Sequence, residues 1–144
     1  MAICTFFGHR DTPKKIEPIL KSTLIDLIEN KNLDLFYIGN QGNFDYMVRK
    51  ILKELKSCYN HINYIVVLAY MPTQKNKINF EDNCETLFPF DLINIPPKFA
   101  ISKRNEWMID KSDYVITYVK YSVGGAAFYK NLAEKKKKKV FNIV

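Results

Sequence analysis

Glycine is scarce in this 144-residue chain. Its five glycines fall in three places only, at Gly8, at Gly39 with Gly42, and at Gly124 with Gly125. Cysteine is scarcer: Cys4, Cys58 and Cys84 are odd in number, far apart and free of CxxC or Cys/His spacing. That excludes a disulfide framework and a zinc ligand set and reads as reduced thiols in a cytosolic protein, with no metal and no cofactor expected. Long apolar runs are also missing. The longest, Ile62–Met71 with Asn63 inside it, is far short of the roughly 20 residues of a membrane helix, so no membrane partner is expected. The start, Met1-Ala2-Ile3-Cys4-Thr5-Phe6-Phe7-Gly8, lacks a basic segment and runs straight into a strand pattern, which argues against a signal peptide.

What is present suits one domain over residues 1–144. Hydrophobic residues make up 47% of the chain, ample for a core, so disorder is not expected. The formal charge is +7, but Lys135–Lys139 supplies five positive charges in one block, so the excess is local. Such a block reads first as a solvated helix end that complements the helix dipole. A patch attracting phosphates, nucleic acid or an acidic partner is the alternative.

The glycines gain meaning from their neighbours. Each group follows a run that reads as a buried strand: Ala2–Phe7, Leu33–Ile38 and Tyr114–Val119. After Gly8, Thr12 and Pro13 read as cap and first residue of a helix, in which Ile16, Ile19, Leu20, Leu24, Leu27 and Ile28 form one stripe. After Gly42, Phe44, Met47, Val48, Ile51, Leu52 and Leu55 mark a second helix. Ile62–Tyr70 reads as a central parallel strand. Met71–Pro97 holds four of the six prolines and reads as a loop, with one helical turn and a short strand near Leu92–Ile95. Phe99–Lys111 follows as a helix with Ile101, Trp107, Met108 and Asn105 inward, then Ser122–Lys137 as a glycine-entered helix and Val140–Val144 as a last strand. The alternation predicts a Rossmann-like, three-layer α/β/α fold with a mainly parallel sheet. In such a sheet the glycine turns gather at the carboxyl ends of the strands, where ligands bind.

Chemistry follows from those turns. His9 and Arg10 stand beside a helix start, where backbone N–H groups attract anions and Arg10 could clamp a phosphate; the alternative is that Arg10 pairs with Asp11 at the surface. The turn Gly39-Asn40-Gln41-Gly42-Asn43 places Asp45 in the first helical turn, either to complement the dipole or to bind a ribose hydroxyl. Its spacing is not the dinucleotide GxGxxG. Ser122, Gly124, Gly125 and Ala126 allow either a close ligand or a close helix–sheet contact. Arg104 and Asn105 are polar residues in an otherwise amphipathic helix, a place where Arg is usually solvated.

The ordered motifs, Phe-Phe-Gly-His-Arg at 6–10, Gly-x-x-Gly-x-x-Asp at 39–45, Arg-Asn-x-x-Met at 104–108, Asp-x-Val-Ile at 113–116 and Gly124-Gly125, resemble the SLOG superfamily. That group includes DprA and the LONELY GUY (lysine decarboxylase-like) phosphoribohydrolases, and the small YpsA-type proteins are the nearest in pattern. The resemblance implies a nucleotide-type ligand touched by Gly8–Arg10, Gly39–Asp45 and Ser122–Ala126. It also implies a role for Arg104, which matches the Arg of the phosphoribohydrolase Arg-Lys-x-x-Met helix, with Asn105 in place of Lys. The catalytic Glu of that group has no counterpart after Gly125, and Ala126 replaces the usual Thr. N-glycoside hydrolysis would then need a substitute carboxylate from Asp45, Glu81, Asp82 or Glu106.

Three functions follow as expectations: a nucleotide or ADP-ribose-type binding module acting as sensor, sequestering protein or regulator; a nucleoside 5′-monophosphate phosphoribohydrolase; or a DNA-binding protein using Lys135–Lys139. The resemblance also implies a homodimer or higher homo-oligomer, for which Phe88, Phe90 or Phe99 would suit the interface.

Overall fold

A computed structural model describes residues 2–72 and 84–144. Six strands form one all-parallel sheet: β1 (Ala2–Gly8), β2 (Leu33–Ile38), β3 (Asn63–Val67), β4 (Glu85–Leu87), β5 (Tyr114–Tyr118) and β6 (Lys139–Asn142). Four helices cover it: α1 (Glu17–Lys31), α2 (Gly42–Lys56), α3 (Pro97–Lys111) and α4 (Gly125–Lys135). The strand order is β4-β3-β2-β1-β5-β6. The chain builds outward from β1 to β4, then returns past its start to lay β5 beside β1, with Gly8 opposite Tyr118. A Rossmann-like three-layer fold results, and its strand order reverses between β1 and β5.

Burial explains the arrangement. All five residues of β5 and Cys4–Phe7 of β1 are buried, so both strands need cover on two faces. On one face α1 presents Leu20, Leu24, Leu27 and Ile28, and α2 presents Phe44, Met47, Val48, Ile51, Leu52 and Leu55, against Phe6, Phe36, Ile38 and Ile116. On the other, Met108 and Ile109 of α3 and Ala133 of α4 meet Phe7, Val67 and Val115. Small residues on α4 let it lie close to the sheet. No helix among the described residues is long and apolar enough to cross a membrane.

Several boundaries differ from the sequence reading. Thr12 does not cap α1: its buried hydroxyl donates to the His9 carbonyl, closing a tight turn, and a 3-10 turn at Lys14–Ile16 leads into a helix that carries Pro18 in its first turn. The strand expected near Leu92–Ile95 is instead β4, and Phe90–Leu92 forms a 3-10 turn that supplies the expected helical turn. β3 stops at Val67 rather than Tyr70: Leu68 N still donates to Leu87 O of β4 at 2.7 Å, and the chain then leaves the ladder. α4 begins at Gly125 rather than Ser122, since Gly124 takes φ 107° and cannot join the helix. It ends at Lys135, so most of the lysine block is the turn into β6, with Lys137 at φ 62°. Residues 73–83, including the candidates Glu81 and Asp82, lie outside the described residues.

Glycine is required where turns press together. A Cβ on Gly8 would stand 2.3 Å from the Phe44 ring. Gly42 has φ 85°, and its Cβ would stand 2.7 Å from the Arg10 Cα. Gly8→Ala and Gly42→Ala are each expected to cost about 1–3 kcal/mol in thermal or urea unfolding, through overpacking and, at Gly42, left-handed strain. Gly125→Ala, with nothing within 4 Å of the new methyl, should stay within about 0.5 kcal/mol of the parent. Equal losses at all three would contradict the packing described.

Candidate functional site

The three glycine turns meet at the carboxyl end of the sheet. Asn43 N donates to Arg10 O at 2.8 Å, which fixes the second turn to the first. Lys120 N donates to His9 Nε2 at 2.9 Å, which fixes the loop after β5 to the first as well. The His9 ring also lies 5.1 Å from Tyr121, between centroids. His9, proposed from sequence as a ligand contact, is therefore a brace between turns and does not line the pocket.

Beneath them lies Arg104. It sits at the middle of the buried stripe Ala100–Arg104–Met108 on α3 and is only 1% exposed, the largest fully buried side chain among the described residues. A charge at that depth needs hydrogen bonds. Nε donates to Asn105 Oδ1 at 2.9 Å, and Nη1 donates to Val67 O at 2.9 Å and to Asn40 Oδ1 at 3.1 Å. Asn40 and Asn105 thus orient the guanidinium. Its Nη2 makes no hydrogen bond among the described residues, and it lies close to Gly39: a Cβ there would stand 3.4 Å from Nη2.

The same point on Gly39 would lie 2.8 Å from Asp45 Oδ2. Asp45 is 9% exposed and accepts a 2.9 Å bond from Gln41 N, so it tethers the turn that leads into α2. Burial raises its carboxyl to about pH 6, against the lowering effects of the Gln41 N–H, Arg104 and Arg49. Burial likewise lowers Arg104, and Asp45 leads the charges that oppose this. Gly39 needs no special φ; it is glycine because a side chain would separate the carboxylate from the guanidinium.

These groups line a pocket of about 180 Å³. Its walls are Phe7, Gly8 and Arg10 from the first turn, Gly39, Gln41 and Asp45 from the second, Ile101, Arg104, Asn105 and Met108 of α3, and Gly125, Ala126 and Tyr129 of α4. Gly125 is packed against nothing, which removes the close helix–sheet contact as its explanation, and no side chain caps α4. Uncapped N–H groups at that helix start favour an anion. Arg10 reaches the rim, its Nη2 3.4 Å from Gln41 Oε1.

Other candidates fall elsewhere. Asn40 and Gly42 act behind the wall, on Arg104 and Arg10, while Ser122 and Gly124 are exposed outside it. Glu106 pairs with Lys103 at 3.4 Å, away from the pocket. Sequence reading missed Phe7, Ile101, Met108 and Tyr129 as wall residues; Tyr129 sits one helical turn beyond Gly125 and Ala126, a spacing that could have found it.

A larger open basin, about 730 Å³, lies at the amino end of the sheet between Ala2, Asn32, Asp34, Asp113 and Lys136–Lys139. Size does not decide here. Asp34 and Asp113 accept from Ala2 N and Ile3 N, Lys136 pairs with Asp110, and Lys139 lies 5.4 Å over the Tyr114 ring, so both aspartates and two of the lysines already have partners. The smaller pocket holds buried charge with unused capacity.

A doubly wound α/β protein with an anion-suited pocket at the point where strand order reverses is the class that fold and site define. The model of the YpsA family, described as the YspA SLOG family, matches residues 1–143, and the chain belongs to that family. Membership fits a nucleotide-related ligand-binding or enzymatic module. No curated protein matches the chain.

Because folding raises the Asp45 pKa, this group favours the folded state below the ordinary carboxylate range near 3.8, and that contribution is lost as pH rises through about 6. A carbon-13 NMR titration of its carboxyl should show a midpoint near 6. In Arg104→Gln the midpoint should rise further; an unchanged or lower midpoint would contradict the pairing across Gly39.

Proposed function

We propose that the chain binds a nucleotide or ADP-ribose-type ligand and acts as a sensor, sequestering protein or regulator. One observation carries this reading: the turns of β1 and β2, the start of α4 and the buried Arg104 share one pocket wall. A volume of about 180 Å³ is below the roughly 300–1,000 Å³ of pockets for whole drug-sized ligands. It suits the phosphate and sugar, with the phosphate toward Arg10 and the α4 start. The base then lies outside the pocket; Tyr121, Val123 and Phe128, close in sequence to Gly125, are exposed.

Phosphoribohydrolysis is the second reading, and Asp45 is what favours it: it is the carboxylate of the pocket wall, raised toward neutrality. Its Oδ2 is occupied by the Gln41 N–H, however, and Glu134, the acid on α4, pairs with Lys130 instead. Binding without turnover is the stronger reading. Polyanion binding by the lysine block would be a separate property, since that block lies at the other end of the sheet. A homo-oligomer would find exposed apolar surface at Phe90 and Phe99.

Native mass spectrometry and melting shifts across nucleoside 5′-monophosphates and ADP-ribose should show saturable binding with no release of free base. Arg104→Gln, checked for folding by circular dichroism, should weaken binding about 10- to 100-fold, the worth of a charge-assisted hydrogen bond. Arg10→Ala, at an exposed position, should weaken it less. Free base released by the parent and not by Asp45→Asn would favour the hydrolase.

A further inference from the structure

Asp45 and Arg104 face each other without meeting. Asp45 Oδ2 and Arg104 Nη2 would stand 2.8 and 3.4 Å from a Cβ on Gly39, yet no ion pair within 4.0 Å closes between them. Their separation is therefore more than 4.0 Å and no more than the two distances combined. Both side chains are buried, and both keep capacity: Nη2 donates no hydrogen bond and Asp45 Oδ1 accepts none among the described residues. Two opposite charges held apart at a pocket wall, each with an unused lone pair or proton, define what can sit between them.

The occupant must donate to a carboxylate and accept from a guanidinium. A phosphate oxygen without a proton only accepts and is repelled by Asp45; an ammonium only donates and is repelled by Arg104. A hydroxyl does both through one atom. One hydroxyl oxygen at ordinary hydrogen-bond distance from each partner spans about 4.5–5 Å, which falls within those bounds. Resting on the nucleotide reading of this pocket, we propose that Asp45 and Arg104 together read a free hydroxyl of the ligand's sugar. Gly39 is the floor that leaves room for it. The ligand class narrows accordingly, to nucleotides whose ribose hydroxyls are unesterified and present, such as nucleoside 5′-monophosphates or ADP-ribose. Asp45 becomes a specificity residue and Asn40 a positioning residue, since it fixes Nη1 so that Nη2 faces the gap.

The test is isothermal titration of the full chain with adenosine 5′-monophosphate, its 2′-deoxy and 3′-deoxy forms, and ribose 5-phosphate as a base-free arm. Loss of the hydroxyl that is read should weaken binding about 10- to 100-fold, because it leaves a buried carboxylate without its donor. In Asp45→Asn the ribo-to-deoxy ratio should fall to within about threefold. Equal affinity for all three adenosine forms would overturn the hydroxyl proposal and leave the nucleotide reading standing. A ratio that survives in Asp45→Asn would also overturn it, by placing the reader elsewhere. If neither adenosine 5′-monophosphate nor ribose 5-phosphate binds, the nucleotide reading itself fails. Should Asp45→Asn not fold, the parent still decides: the Asp45 carboxyl carbon resonance should move with adenosine 5′-monophosphate and stay put with the deoxy form that binds weakly, and movement with neither would overturn the proposal.

Discussion

Arg104 is a cation in the interior of a small α/β protein, and the carboxyl end of the sheet is arranged around it. Each hydrogen bond to such a buried charge is worth about 1.5–3 kcal/mol, more than a surface ion pair. Its hydrogen-bond partners come from separate parts of the chain, Val67 at the end of β3, Asn40 just after β2 and Asn105 on its own helix, and Asp45 on α2 is a nearby opposite charge. Holding the guanidinium therefore ties together β2, β3, α2 and α3. The partners do not use all of it, however, and what is left over points into the pocket.

Strand order makes such a convergence possible. Parallel strands put every strand-to-helix turn at one end, and the reversal between β1 and β5 opens a crevice there instead of closing it with a crossover. The glycines then serve different needs. Gly8 and Gly42 let turns pack on Phe44 and Arg10, Gly39 keeps space between two charges, and Gly125 leaves a helix start bare. His9 joins this frame from the side by accepting from Lys120 N.

Much of the fold was legible in the sequence because its signals are periodic. The buried stripes of α1 and α2 and the fully apolar β5 repeat at spacings that few alternatives satisfy. β4 was not legible: three residues in a proline-rich stretch carry no period, and its partner β3 supplies the pairing. The site was half legible. Glycine turns identify where a ligand can approach, and the motif resemblance singled out Arg104. Its burial was hidden, because an Arg within Ala100–Arg104–Met108 reads as a break in the stripe rather than its centre. The role of His9 was hidden for another reason, its partner being a backbone N–H 111 residues away. Asp45 was legible as a helix-start carboxylate, but its approach to Arg104 depends on Gly39, which no local pattern encodes.

Two ends of one sheet thus differ in kind. At the amino end the aspartates accept from backbone N–H groups at the strand starts; at the carboxyl end Asp45 and Arg104 keep unspent hydrogen-bonding capacity beside an uncapped helix. Amide chemical-shift mapping during titration with ribose 5-phosphate separates them directly. Shifts concentrated at Gly8–Arg10, Gly39–Gln41 and Gly125–Ala127 are the outcome this account predicts. Shifts confined to Lys136–Lys139 and the strand starts would contradict it.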